Sequence, residues 1–103
     1  MEARRRAQAR ARAERLRSRL PDAVALLRQR YGAQRVVLFG SLATEIGTHI
    51  GDVDLALEGI APQAYFAALA DLMALFGAPV DLVRLEEAPE SLRDRIAAEG
   101  EPL

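Results

Sequence analysis

Three short apolar runs, at Val36–Phe39, Val53–Glu58 and Val80–Leu85, constrain this chain more than any other feature. Each has the length of a strand and falls short of a helix. The stretches around them read as helices. Leu16, Leu20, Val24, Leu27 and Tyr31 recur at spacings of three and four, which makes one apolar face. Pro21-Asp22 predicts a fresh helix start, with Pro in the first turn and an acid near the positive end of the helix dipole. Gly32 predicts its end. Ser41–Ile46 reads as a short helix, and Gly47 and Gly51 bracket a loop. Gln63–Phe76 is helical with Gly77 as its stop, and Pro89–Glu99 is a last helix followed by Gly100. Helices alternating with short strands in 103 residues define one α/β (α+β) domain.

Two of the strands carry carboxylates. Side chains alternate along a strand, so Asp52 and Asp54 share one face while Val53, Leu55 and Leu57 share the other. Asp81, between Val80 and Leu82, likewise lies opposite its apolar neighbours. If the strands adjoin, three carboxylates converge. Each pair then repels by on the order of 4 kcal/mol at 4 Å and an effective dielectric of 20, which a cation must neutralise. Oxygen ligands with no His or Cys suit Mg²⁺ or Mn²⁺. The first strand runs straight into Gly40-Ser41. Glycine permits a sharp turn and close approach of a ligand, and the free N–H groups of the helix that follows attract anions. Phosphates beside metal-holding carboxylates describe phosphoryl transfer. Gly-Ser alone is usually a turn and Asp-x-Asp alone a strand edge, so the ordered combination carries the reading. His49 reads as a solvated loop residue without a role.

The segments "RVVLFGSLA", "GDVDLALEG", "PVDLVRLEEAP" and "LRDRIAAEG" together resemble the nucleotidyltransferase superfamily of DNA polymerase β, most closely its stand-alone minimal members. The resemblance covers Leu20 to the C-terminus. It implies a small mixed sheet of three to four strands with helices packed mainly on one face, spanning residues 20–103. Residues 1–19 are then an Arg/Ala-rich helical extension. It also implies that Gly40 and Ser41 grip the triphosphate of ATP, and that Asp52 and Asp54 bind two Mg²⁺ ions. Asp81 would ligate one metal and help activate the acceptor hydroxyl. Where the family usually continues with Arg-Gly this chain has Thr44-Glu45, and Gly51 stands where Ser is usual before the Asp pair. Minimal members are often antitoxins paired with a helical HEPN toxin, and the activity best described for them is transfer of AMP from ATP to a tyrosine of that toxin. The competing readings are an antitoxin that neutralises its partner by binding alone, and a transferase acting on a small molecule.

Charge and hydropathy suggest partners. Residues 1–35 hold eleven Arg against Glu2, Glu14 and Asp22, whereas residues 36–103 hold three Arg against twelve acids. The basic segment could meet nucleic acid, an acidic partner, or the chain's own acidic part. No aromatic is interleaved in the Arg-rich N-terminal helix, residues 2–19, for base stacking, which makes nucleic acid the weaker reading. The 63–76 helix carries two apolar stripes, Tyr65/Leu69/Leu72/Phe76 and Phe66/Ala70/Met73/Gly77. One stripe can face the sheet. The other needs cover from the N-terminal helix, a HEPN partner or a second copy of the chain. There is no cysteine for a disulfide or thiolate site, and no apolar stretch long enough to span a bilayer, so a cytoplasmic protein is expected.

Overall fold

A computed structural model describes residues 2–44 and 53–103, without the side chain of Glu2. The expected loop at Gly47–Gly51, the end of the expected Ser41–Ile46 helix, and Glu45, His49 and Asp52 lie outside these residues. The elements run α1 (Glu2–Ser18), α2 (Leu20–Tyr31), β1 (Arg35–Phe39), α3 (Gly40–Thr44) and β2 (Val53–Glu58). After them come α4 (Tyr65–Phe76), β3 (Val80–Arg84), α5 (Glu90–Glu99) and β4 (Glu101–Pro102). Single 3-10 turns precede α4 at Pro62–Ala64 and follow β3 at Leu85–Glu87. They shorten by a residue or two the elements expected from the sequence.

The four strands form one mixed sheet in the order β3-β2-β1-β4. β2 runs antiparallel to β1, parallel to β3 through the α4 crossover, and β4 closes the other edge of β1. A fourth strand fits the expected sheet of three to four, but a strand at residues 101–102 was not expected. Two residues, one of them Pro102, carry no strand signal; what seats them is pairing with Val37 and Leu38, and a Leu103 N–H bond to the Val36 carbonyl at 2.9 Å.

The alternation of each strand divides the core in two. Val36, Leu38, Val53, Leu55 and Leu57 point to one face and pack with Leu16, Leu20, Leu27, Leu42 and Leu72 from the helices. Val37, Phe39 and Ala56 point to the other, where Ile96 of α5 and Leu85 cover them. So α1, α2 and α4 share one face of the sheet and α5 alone lies on the other. Asp54 and Asp81 belong to the face with less cover.

The helix ends follow the sequence signals. α2 stops at Gly32 and α4 at Gly77, both left-handed, with φ of 74° and 63°. α2 starts one residue before Pro21, and only Arg19 separates it from α1. The two are held to the rest by specific contacts. Tyr31 donates a hydroxyl hydrogen bond to Asp71 of α4 at 2.5 Å, which raises the Tyr31 pKa above its ordinary value, and Arg30 pairs with the same carboxylate at 3.3 Å. Past β2, the Gly59 N–H donates to Glu86 at 2.9 Å and holds that carboxyl below its usual range.

Arg4, Arg5, Arg6 and Arg10 of α1 are exposed, and its buried contribution begins at Ala13, three residues before Leu16. Arg17 is the anchor. Its guanidinium donates to the Leu42 carbonyl at 3.1 Å and to both carboxylate oxygens of Glu101 at 3.0 and 3.1 Å. One side chain therefore ties α1 to α3 and to β4. The pair is about a third exposed, which discounts its Coulombic share. Arg17→Ala should cost about 1 kcal/mol in urea unfolding, while exposed Arg5→Ala should change stability by less than about 0.5 kcal/mol.

Candidate active site

The parallel register of β2 and β3 sets Asp54 directly beside Asp81. Neighbouring strands lie about 4.8 Å apart, so the two carboxylates leave the same face at close quarters. Asp54 is half-buried and Asp81 exposed. On its other side Asp54 pairs with Phe39, the last residue of β1. Gly40 and Ser41 follow at once as the first turn of α3. The strands thus bring Asp54, Asp81, Gly40 and Ser41 to one end of the sheet. Asp52, the remaining expected carboxylate, lies outside the described residues, and among those residues no cluster of three metal-ligating side chains forms.

Gly40 is needed here for two separate reasons. Its φ is 73°, in the left-handed region that disfavours side chains. A Cβ placed on it would also collide with the Asp54 carboxylate, lying 2.8 Å from its Cγ. The Asp54 side chain rests on bare backbone, against the turn that opens α3. α3 is in turn fixed by the fully buried Leu42 and by Arg17 on its carbonyl. Thr44 closes the short helix by donating to the carbonyls of Gly40 and Ser41 at 3.3 and 3.4 Å.

On this face α5 covers Val37, Phe39, Ala56 and Leu85 through Ile96, and among the described residues it leaves Asp81 exposed and Asp54 half-buried. Two hard oxygen donors in register, next to a turn without a side chain, suit a hard divalent cation and an oxyanion. Arg17 was not visible as part of the site from sequence. It stands 25 residues before Leu42, in a helix with many other Arg, and nothing local distinguishes it. The second stripe of α4 is not covered by α1: Phe66 is 78% exposed and Met73 45%.

A four-stranded mixed sheet with paired aspartates beside a strand–Gly-Ser–helix turn defines a nucleotidyltransferase fold. The family model for polymerase β nucleotidyltransferases matches residues 23–103. A minimal nucleotidyltransferase of solved structure is 31% identical, with 88% of this chain and 95% of that one aligned and a TM-score of 0.75. The chain belongs to the polymerase β nucleotidyltransferase family, in its minimal form. A chain of the MntA–HpeT toxin–antitoxin crystal structure is 28% identical over 81% of this chain and 69% of its own length, with a TM-score of 0.71. The complex of a tri-AMPylated HEPN toxin with its MNT antitoxin from Shewanella oneidensis shares the fold at 23% identity, covering 84% of this chain and 70% of that one, TM-score 0.68. Among curated proteins there is no sequence match. The family match begins inside α2, so α1 and its Arg17 lie outside it. No helix among the described residues is long and apolar enough to cross a membrane.

Gly40→Ala should be costly on both counts. It should lower stability by about 1–3 kcal/mol through backbone strain alone, and push the Asp54 carboxylate off its seat. Thermal melting checks the first effect, and the Asp54 side-chain resonance in a carboxylate-detected NMR spectrum checks the second.

Proposed function

We propose that this chain transfers AMP from ATP to a hydroxyl, most simply a tyrosine, of a HEPN-type helical partner, and so acts as an antitoxin. The observation that carries this is the Asp54–Asp81 pair, in register on adjoining strands, with Asp54 resting against Gly40. The likeness to chains from toxin–antitoxin complexes, one with its toxin AMPylated, supports the choice of acceptor.

Family members generally use divalent metals, and the donor set here fits one. Asp54 and Asp81, with Asp52 beyond the described residues, would hold Mg²⁺ or Mn²⁺. When bound, such ions supply charge neutralisation and a Lewis acid at the phosphoryl oxygens. The chain's own residues account for the rest of the reaction. Gly40 and Ser41 present a turn on which the triphosphate can lie close to backbone, since no Cβ intervenes at Gly40. Asp81 is the exposed member of the pair and can accept the acceptor's proton. The acceptor oxygen bonds to the α-phosphorus, the bond from that phosphorus to the bridging oxygen of the β-phosphate breaks, and pyrophosphate leaves. Among the described residues Asp81 is exposed, which leaves it within reach of an acceptor as large as a protein.

The test is intact-mass analysis of a purified HEPN-type partner incubated with this chain, ATP and Mg²⁺. The partner should gain AMP units, and Asp54→Asn or Asp81→Asn should slow that gain by at least about a hundredfold, the scale of losing one positioned acid–base group. If wild-type chain binds the partner tightly and its mass never changes, neutralisation by binding alone replaces transfer.

A further inference from the structure

Among the described residues β3 is an edge strand: in the sheet order it pairs with β2 on one side and with no strand on the other. A cleft of 470 Å³ runs along that free edge, with Pro62, Tyr65, Phe66, Arg84, Glu87 and Leu92 among its walls. It starts at Leu82, next to Asp81, and extends to Arg84, about 10 Å along β3 from Asp81, three residues at the rise of a strand. Unpaired strand edges invite another strand, and proteins usually cover or charge them. Here the edge is only partly blocked. The Tyr65 hydroxyl donates to the Leu82 carbonyl at 2.6 Å, which settles one outward-facing group at mid-strand.

Arg84 points to what the cleft lacks. Its side chain is only 10% exposed, and one terminal nitrogen is paired with Glu87. Among the described residues its Nε–H is buried without a hydrogen-bond acceptor. A buried donor left unmade costs far more than a typical hydrogen bond returns, so an acceptor that reaches it gains that difference. The charge of the guanidinium is already met by Glu87. The missing group is therefore better supplied by a neutral carbonyl than by a carboxylate. Much of the rest of the wall is apolar, with Pro89 and Leu92 of α5 on one side and Pro62, before α4, on the other. Beside Pro62 stands Phe66, 78% exposed and set edge-on against Tyr65 at 5.2 Å between ring centroids.

An extended peptide meets all three conditions. It offers backbone groups to an open strand edge, a carbonyl at regular spacing, and alternate side chains for an apolar wall. We propose that the cleft beside β3 is a docking site for an extended, apolar segment of a protein partner. One backbone carbonyl of the segment accepts from Arg84 Nε, and an aromatic or large aliphatic side chain lies on Phe66. Its Arg84 and Phe66 contacts lie beyond the carboxylates, and docking there does not depend on nucleotidyl transfer. A partner held there would be gripped at one end of the sheet while the other end stays open.

The experiment uses the full chain alone, without nucleotide or metal, and a phage-displayed library of random dodecapeptides as the probe. Selected peptides should share apolar residues at every second position, with an aromatic among them. Titrated into ¹⁵N-labelled chain, they should shift the Arg84 Nε–H resonance and the amides of β3. Arg84→Lys keeps the charge but loses that donor, and should weaken binding by about tenfold or more, the scale of one hydrogen bond to a charged group. Phe66→Glu, at an exposed position that cannot compromise the core, should do the same with the melting temperature unchanged. The proposal is overturned if no peptide is enriched on wild type over Phe66→Glu, or if selected peptides leave Arg84 Nε–H unmoved and bind Arg84→Lys equally well. It is also overturned if sedimentation shows the chain dimerising alone through a contact that Phe66→Glu abolishes, since a second copy would then be the occupant.

Discussion

Everything at the functional end of this molecule depends on two strands lying parallel in one particular register. β2 and β3 could satisfy their backbones equally well one residue out of step, but that shift would turn Leu82 toward solvent and Asp81 into the main core. Burial of Val53, Leu55, Leu57 and Leu82 on one face selects the register that is seen. The same choice forces Asp54 against Asp81 on the other face. The repulsion between them is thus imposed by apolar packing on the reverse side of the sheet.

The surrounding structure accommodates that imposed pair. Three long helices crowd one face of the sheet, and α5 is the long helix on the other, where among the described residues Asp81 stays exposed and Asp54 half-buried. Gly40 gives Asp54 room by having no side chain. α3, which carries the Gly-Ser turn, is too short to hold itself in place; a five-residue helix has little cooperativity of its own. It is fixed by Leu42 in the core and by Arg17 reaching across from α1 to its carbonyl. Through Glu101 the same guanidinium also fastens the C-terminal strand. The Arg-rich extension is in this way mechanically coupled to the turn that faces the carboxylates, although its outer Arg residues contribute no buried surface.

Legibility in the sequence followed the range of the forces involved. The three longer strands, the helix stops at Gly32 and Gly77, and the face shared by Asp54 and Asp81 rest on local periodicity and on glycine's conformational freedom, and were readable. So was the excess of apolar faces on α4, now seen in the exposure of Phe66. β4 was not, because its two residues form a strand only by borrowing the edge of β1. Arg17 was hidden among chemically identical neighbours, and the orphaned Nε of Arg84 follows from tertiary burial that no local pattern encodes. Asp52, assigned by its spacing from Asp54 and by family resemblance, lies outside the residues the structure describes.

The central claim is that Asp54 and Asp81 are held together for a cation, against their own repulsion. Thermal melting of wild type and Asp81→Asn, each in EDTA and in Mg²⁺ with ATP, tests it most directly. Asp81 is exposed, so the substitution removes a charge with little loss of packing. In EDTA the variant should be the more stable, by roughly 1–2 kcal/mol, a solvent-screened fraction of the pairwise repulsion. With Mg²⁺ and ATP the order should reverse. Wild type gains about 2.7 kcal/mol at a hundredfold excess over Kd, and the variant gains little. If Asp81→Asn melts below wild type in EDTA, and Mg²⁺ with ATP leaves wild type where it was, these aspartates are structural and the account of the site is wrong.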